Sequence, residues 1–540
     1  MLTVPCLIRQ TRSAWRSTQF VHQIVLVLVL IYAGLFLFNS LTRTRTFPPD
    51  GMNYVDVARN IAAGRGITQS TLGFNQAHFP IDDEIPTPLT TQPPLYPLVL
   101  AAFTYAGLDA ADAALIVAAC AYGLVLLVAY LLTSKPYGRD VALLSIALLL
   151  VYAPLVTVAR AALSETLAML FLLLGFLFLA RGSADTRGRV GVALAAGLFF
   201  GLAFVTRYAM APSLVVGLLA LAYSAYRRGD RWQAAASQQV CLVAGFTIPA
   251  IPVLAHNIIM THNIMGSTPL PITLTAYAGL SVTFHSLAGQ YLGTDLSERL
   301  QELLLGTLLL GVVITLVWRG HLGNGFKRIA FADEGLMLML WILIYLAFLI
   351  CQRMRTNFDL DARMVLPAGV MLVLLVAGLA GASLGLHSRC LGYLALALVC
   401  VALVREIRLA SQPQAPRFED VIASSERLHW VATQTTSRDL IAGIDTLDIQ
   451  FYLGRPGVLF FTGLPYAVNA EYDTLMAWVG RHRRQYDRVF FILPRYDKPL
   501  AEWQRRYGPF VADLAAGHTD PYPDLRLWCG LADAYVFEVR

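Results

Sequence analysis

Two carboxylates and three arginines stand where this sequence could do chemistry. Asp50 follows Pro48-Pro49 and opens a short amphipathic stretch. Met52, Val55, Ala58 and Ile61 or Ala62 recur at helical spacing, while Asn53, Asp56 and Asn60 take the other face. The prolines bar a helix from continuing into this stretch. Asp50 is therefore expected as an N-cap and Gly64 as the stop. Glu165 follows Ser164 at the start of an apolar run, and Arg160, Arg207 and Arg363 each lie at the end of one. A guanidinium presents donors in a fork that matches phosphate, and a carboxylate can take a proton from a reacting group or orient it. Each residue also has a plainer reading. Asp is a favoured cap, Glu is favoured at a helix start, and an arginine near a membrane boundary can snorkel to water.

The elements that must hold these residues are mostly apolar. Of 540 residues, 57% are hydrophobic and only 14% are charged, where soluble domains carry roughly 25%. The fold class expected is an α-helical polytopic membrane protein with a small C-terminal α/β domain. Runs of about 20 apolar residues predict about eleven spans, near 20–41, 112–133, 140–158, 163–181, 190–206, 209–226, 238–256, 303–318, 334–352, 364–386 and 390–404. Residues 1–19 are basic, through Arg9, Arg12 and Arg16, and are expected in the cytoplasm ahead of an uncleaved first span. SKPYGRD, RGSADTRGR, YRRGDRW, WRGHLGNGFKR and HSR are then short basic inner loops, as the positive-inside rule requires. Their charge accounts for much of the net +6 without any nucleic-acid partner.

The membrane module is expected over 20–404, with long external loops at 42–94 and 257–302. Segment 95–108 is apolar but too short to cross, and reads as re-entrant or interfacial. Residues 405–540 mix charges of both signs and alternate strand-like with helix-like stretches, which predicts an extracytoplasmic α/β domain. Its only cysteine is Cys529, so it cannot form an internal disulfide. PTPLTTQPPLYPLVL, Pro86 to Leu100, predicts a stiff extended strap.

Asp50, Tyr54 and Ala58, a glycine near the helix end, then Gln-Pro-Pro-Leu-Tyr-Pro resemble the first external loop of GT-C glycosyltransferases. More narrowly, the chain resembles the protein O-mannosyltransferase, aminoarabinose transferase and RgtA/B/C/D-like group, the family 39 type. ARAALSETLAML, with Arg160 and Glu165, and GLAFVTRYAMAP, with Thr206, Arg207 and Tyr208, follow in family order. IPAIPVLAHNIIMTHNIMGSTPLP, with Pro252, Asn257, Gly266 and Pro269, and FDLDARMVLPAG, with Arg363 and Pro367, complete the series. The resemblance covers roughly residues 20–405. It implies an integral membrane enzyme that moves a sugar from a polyprenyl-phosphate donor, with inversion, to a lipid, glycan or protein acceptor on the non-cytoplasmic side. It implies Asp50 and Glu165 as catalytic residues, Asp50 as proton acceptor or as orienting group. Tyr54, Arg160, Arg207, Tyr208, Asn257 and Arg363 are implied to bind substrate. Gly51 stands where the mannosyltransferases carry a second acid, which weakens the case for a protein acceptor.

Some members of the group bind a divalent cation and others do not, so no cofactor is assigned. His78 with Asp82, Asp83 and Glu84 fits no compact ligand spacing and reads as a solvated acidic loop. His256 and His262 lack the HExxH pattern. A transporter or lipid flippase is the alternative from another class. It would show inverted repeats and ionisable residues within spans; no clear repeat is visible, and the charges named above cluster at the predicted outer boundary. A non-catalytic GT-C relative is the further alternative.

Overall fold

The computed structural model describes all residues except 1–3, 74–83, 183–185, 268–280, 282–332, 356–361, 384–387, 444–445, 460–467, 495–511, 514–515 and 517–523. The predicted span 303–318 and the His78–Asp83 group lie outside the described residues. The chain divides into two compact units. The first comprises 1–46, 115–253 and 272–414; the second comprises 47–114, 254–271 and 415–540.

The first unit is helical. Among the described residues of the chain, eight helices are long and apolar enough to cross a membrane, with a ninth if one bent pair counts as a single span. The protein is an integral membrane protein. The bent pair, Arg139–Val151 and Ala153–Arg160, turns by 62° where the sequence predicted one straight span over 140–158. Pro154 explains the break: it sits in the first turn of the second helix, where its missing N–H costs nothing. Tight packing follows from small residues, as expected where lipid supplies no hydrophobic drive between helices. A Cβ on Gly197 would lie 2.0 Å from the Leu242 carbonyl oxygen, and one on Gly245 would lie 2.2 Å from that of Leu194. Helices Thr186–Thr206 and Trp232–Thr261 thus meet backbone to backbone. Helices Asp333–Arg355 and Ala362–Ser383 are joined by hydrogen bonds from Trp341 Nε1 to the Pro367 carbonyl at 3.3 Å and from Tyr345 Oη to that of Met364 at 2.7 Å.

The second unit is built on a six-stranded sheet. Its strands are β2 (Thr71–Gly73), β4 (Leu440–Gly443), β5 (Gly457–Leu459), β6 (Val489–Pro494), β7 (Leu525–Gly530) and β8 (Ala534–Val539), in the order β2-β5-β4-β6-β8-β7. The first four run parallel, and β8 runs antiparallel to both its neighbours, β6 and β7. Alternate residues feed two cores. Leu440, Ala442, Phe491 and Leu493 pack with Trp478 of helix Val468–His482. Ile441, Phe490 and Ile492 pack with Leu428 and Ile449 of helices Glu426–Gln434 and Thr446–Leu453. The period of two is the pleat itself. β2 comes from the first loop, so the C-terminal sheet takes its edge strand from a segment nearly 400 residues earlier. A small pair, β1 (Thr68–Gln69) with β3 (Thr87–Pro88), ties the same loop to the proline-rich strap. The segment read as re-entrant or interfacial forms helix Leu95–Tyr105, too short to span.

Candidate functional site

In the first unit, three of the expected site residues meet. Helix Glu165–Arg181 begins at Glu165, whose side chain is buried. Helix Thr186–Thr206 ends one residue before Arg207, whose backbone is extended. Arg207 Nη1 lies 2.8 Å from Glu165 Oε1 and Arg363 Nη1 lies 4.0 Å from the same oxygen. Arg207 also donates to Ser164 Oγ at 3.3 Å and contacts Met364 Sδ at 3.2 Å. A buried carboxylate needs a counter-ion, and this one holds two guanidinium groups beside each other. One carboxylate and two guanidinium groups thus meet here. Arg363 is the more open arginine, its side chain 30% exposed against 11% for Arg207. Tyr208 follows directly and packs its ring on Phe204 at 5.4 Å.

Arg160, in the same unit, has a different partner. Its guanidinium meets the fully buried carboxylate of Glu406 and lies 5.0 Å over the Phe36 ring. Arg405 Nε is 3.5 Å from Glu406, and Asn39 Nδ2 donates to Glu406 Oε2 at 3.0 Å. This cluster fastens helices Val4–Asn39, Ala153–Arg160 and Ser388–Ala410 to one another.

In the second unit, helix Pro49–Ala62 carries Asp50 as its second residue rather than its cap, because Pro48 takes the cap position. Gln92 Nε2, from the strap, donates to Asp50 Oδ1 at 3.3 Å. The rest of the helix's polar stripe is enclosed. Asn53 Nδ2 donates to Gln92 at 3.2 Å and Gln69 at 3.4 Å. Asp56, 2% exposed, accepts from the Ser70 N–H at 2.6 Å and from Gln450 Nε2. Asn60 donates to the Thr68 carbonyl at 2.8 Å and to Ser70 Oγ at 3.0 Å. Burial drives the Asp56 carboxyl up to about 6, against the lowering pull of the Ser70 donors, Arg59 and Arg65. Tyr54 is buried edge-on against Tyr96 at 5.0 Å. Asn257 is buried too, its amide donating to the Ile264 carbonyl at 3.2 Å where the chain leaves helix Trp232–Thr261. Gly266, at φ +75°, passes so close to Thr90 that a Cβ would lie 2.1 Å from its carbonyl oxygen. Thr90 and Ser267 share a 2.7 Å hydroxyl contact. This clamp holds the strap that carries Gln92.

Residues 91–256 match the model of the dolichyl-phosphate-mannose-protein mannosyltransferase family. No curated protein matches the sequence significantly. Two solved structures of ArnT from Cupriavidus metallidurans share the arrangement of the chain. The one bound to undecaprenyl phosphate aligns with a TM-score of 0.54 at 12% identity, over 96% of this chain and 98% of its own. The apo structure aligns with a TM-score of 0.54 at 14% identity, over 95% and 97%. This is the GT-C fold. The aligned share, 96% of this chain, takes in residues of both units.

Among the described residues, no group of three or more His, Cys, Asp or Glu side chains is arranged to hold a metal ion. Four participants escaped the sequence reading: Gln92, Asp56 as a buried group, Gln450 and Glu406. For Asp56 a signal was present, since Asp50, Asn53, Asp56 and Asn60 recur at three- and four-residue steps along one helix face. Gln450 and Glu406 had none, because their partners lie 394 and 246 residues away in sequence.

Proposed function

We propose that this GT-C chain is a membrane glycosyltransferase that moves a sugar from a polyprenyl-phosphate donor to a lipid, glycan or protein acceptor on the non-cytoplasmic face. The observation that carries the reading is the pair of guanidinium groups, Arg207 and Arg363, gathered on buried Glu165. Two guanidinium forks side by side suit a phosphate that gains charge as it leaves. The family match over 91–256 and the fold shared with an undecaprenyl-phosphate-bound ArnT support the choice of donor.

In this reading the acceptor hydroxyl attacks the anomeric carbon and forms the new glycosidic bond. The bond from that carbon to the phosphate oxygen breaks, its electron pair stays with the phosphate, and the configuration inverts. Asp50 takes the acceptor's proton or orients its hydroxyl, and Gln92 fixes the carboxylate. Glu165 acts by holding the two arginines side by side. Arg160 is assigned to structure, since its guanidinium meets the fully buried carboxylate of Glu406. Tyr208, beside Arg207, lines the donor site; Tyr54 and Asn257 shape the loop that presents Asp50. The N-terminus lies in the cytoplasm and residues 405–540 lie outside it, from the charge of the short loops.

The test is transfer by the purified protein in lipid, given a panel of labelled polyprenyl-phosphate sugars and cell-envelope extract. Label moves from at least one donor, and Asp50→Asn abolishes it at unchanged protein abundance. Full activity in Asp50→Asn removes that residue from catalysis. Failure of every donor with the wild-type protein overturns the reading.

A further inference from the structure

The polar seam of helix Pro49–Ala62 ends in the C-terminal domain. Asp56 is buried, and its two oxygens accept from the Ser70 N–H and from Gln450 Nε2, on helix Thr446–Leu453. One turn on, Arg59 Nη1 donates to the Phe451 carbonyl at 2.8 Å, and its guanidinium lies 5.4 Å over the Phe451 ring. Ahead of the helix, Phe47 packs on Phe451 at 4.8 Å and on Phe418 at 6.1 Å. The strand that follows the helix joins the C-terminal sheet, and the Gly457 N–H donates to the Ser70 carbonyl at 3.0 Å. Thus the entry, the middle and the exit of the loop helix are all fixed by residues 418–459.

From this geometry we infer that the C-terminal domain positions the loop helix, and that Asp56 is the positioning residue through which Gln450 sets the placement of Asp50. The inference rests on the reading of Asp50 given above. The chemistry fits a placing role. Asp56 has both oxygens occupied by protein donors, so it meets no substrate; what it transmits is orientation. Asp50 sits six residues earlier on the same rigid helix, and Gln92 contacts both Asp50 and Asn53. A tilt released at Asp56 moves the helix's first turn, and a misplacement of about 1 Å can cost on the order of a hundredfold in rate.

The test compares Gln450→Leu, Asp56→Leu and the conservative Asp56→Asn in the full chain. Amide hydrogen exchange is followed in residues 49–62 and, separately, in β4 and β6. Initial rates give kcat and the donor KM. Both leucine variants should speed exchange across 49–62 and lower kcat by about tenfold or more with donor KM held, while β4 and β6 stay protected. Asp56→Asn, which keeps an acceptor for Ser70, should keep wild-type rates and exchange no faster than wild type across 49–62. Unchanged exchange in 49–62 overturns the inference. Equal loss of protection in β4 and β6 does the same, because the contact would then merely hold the domain together. An Asp56→Asn protein that is inactive although its exchange is no faster than wild type overturns it too, by making Asp56 a chemical participant. If wild type transfers no sugar from any donor, the enzymatic reading fails alone, and the exchange data still decide the clamp.

Discussion

Replacing Asp56 with Asn should make the second unit more stable at neutral pH, and the gain should vanish in acid. The carboxyl titrates at about 6 in the folded chain against an ordinary value of 3.8, because burial opposes its charge. The folded state therefore binds the proton more tightly than the unfolded state. Its contribution to stability is fully present below pH 3.8 and is lost as pH rises through 6. At about 1.4 kcal/mol for each pH unit, the loss approaches 3 kcal/mol as an order of magnitude. Asn at this position has no charge to desolvate. Its Oδ1 can accept from the Ser70 N–H, and its Nδ2 can donate to Gln450 Oε1 once that amide turns over. Among the described residues, that oxygen is buried and has no hydrogen-bond partner in the wild-type arrangement.

The geometry is thus kept, and the gain at pH 7.5 should fall between about 1 and 3 kcal/mol. For a folded unit of roughly 200 residues this corresponds to a rise of about 3–10 °C in unfolding midpoint. The assay is thermal unfolding of both proteins in detergent from pH 4.5 to 7.5, read as the difference between them at each pH. The difference isolates Asp56 from the other carboxylates. Parallel profiles, or an Asn variant that unfolds earlier at pH 7.5, would refute the claim that this buried carboxylate is held against its own desolvation.

Two further outcomes follow from contacts already described. Arg363→Ala should raise the donor concentration needed for half-maximal transfer by about 10- to 100-fold, the worth of one charge-assisted hydrogen bond to phosphate; an unchanged donor dependence would remove Arg363 from phosphate binding. Gly266→Ala should loosen the strap, because φ +75° is strained for alanine and its Cβ would strike the Thr90 carbonyl oxygen; faster hydrogen exchange at residues 87–92 and slower transfer are expected, and a wild-type exchange pattern would show the clamp to be dispensable.

How far the sequence could be read depends on what each pattern measures. Apolar runs measure transfer into lipid, so the class of protein was legible. Hydropathy is blind to direction, however. The bend at Tyr152 left no trace in it, although Pro154 marked the spot. The order of Glu165, Arg207 and Arg363 along the chain placed all three at one end of the helices, and the structure brings them onto a single oxygen. The same reasoning grouped Arg160 with them; in the structure its guanidinium meets Glu406. A pairing partner 246 residues away follows from packing, which no local pattern records.

The loop helix makes the same point from the other side. Its period of three to four was legible, and so were its two faces. Which face meets water was not, because periodicity separates polar from apolar and says nothing about solvent. Polar side chains leave water only where donors and acceptors replace it. Asp56 and Asn60 are buried because Ser70, the Thr68 carbonyl and Gln450 supply those partners. The placement of a three-residue strand, Thr71–Gly73, decides that supply, since its register with Gly457–Leu459 carries Ser70 alongside the helix. A strand so short has no readable signature of its own. The tie between the first loop and the C-terminal domain therefore had to come from coordinates. It gives the C-terminal domain a physical role, which is to keep the polar face of the loop helix supplied with partners and so hold Asp50 in place.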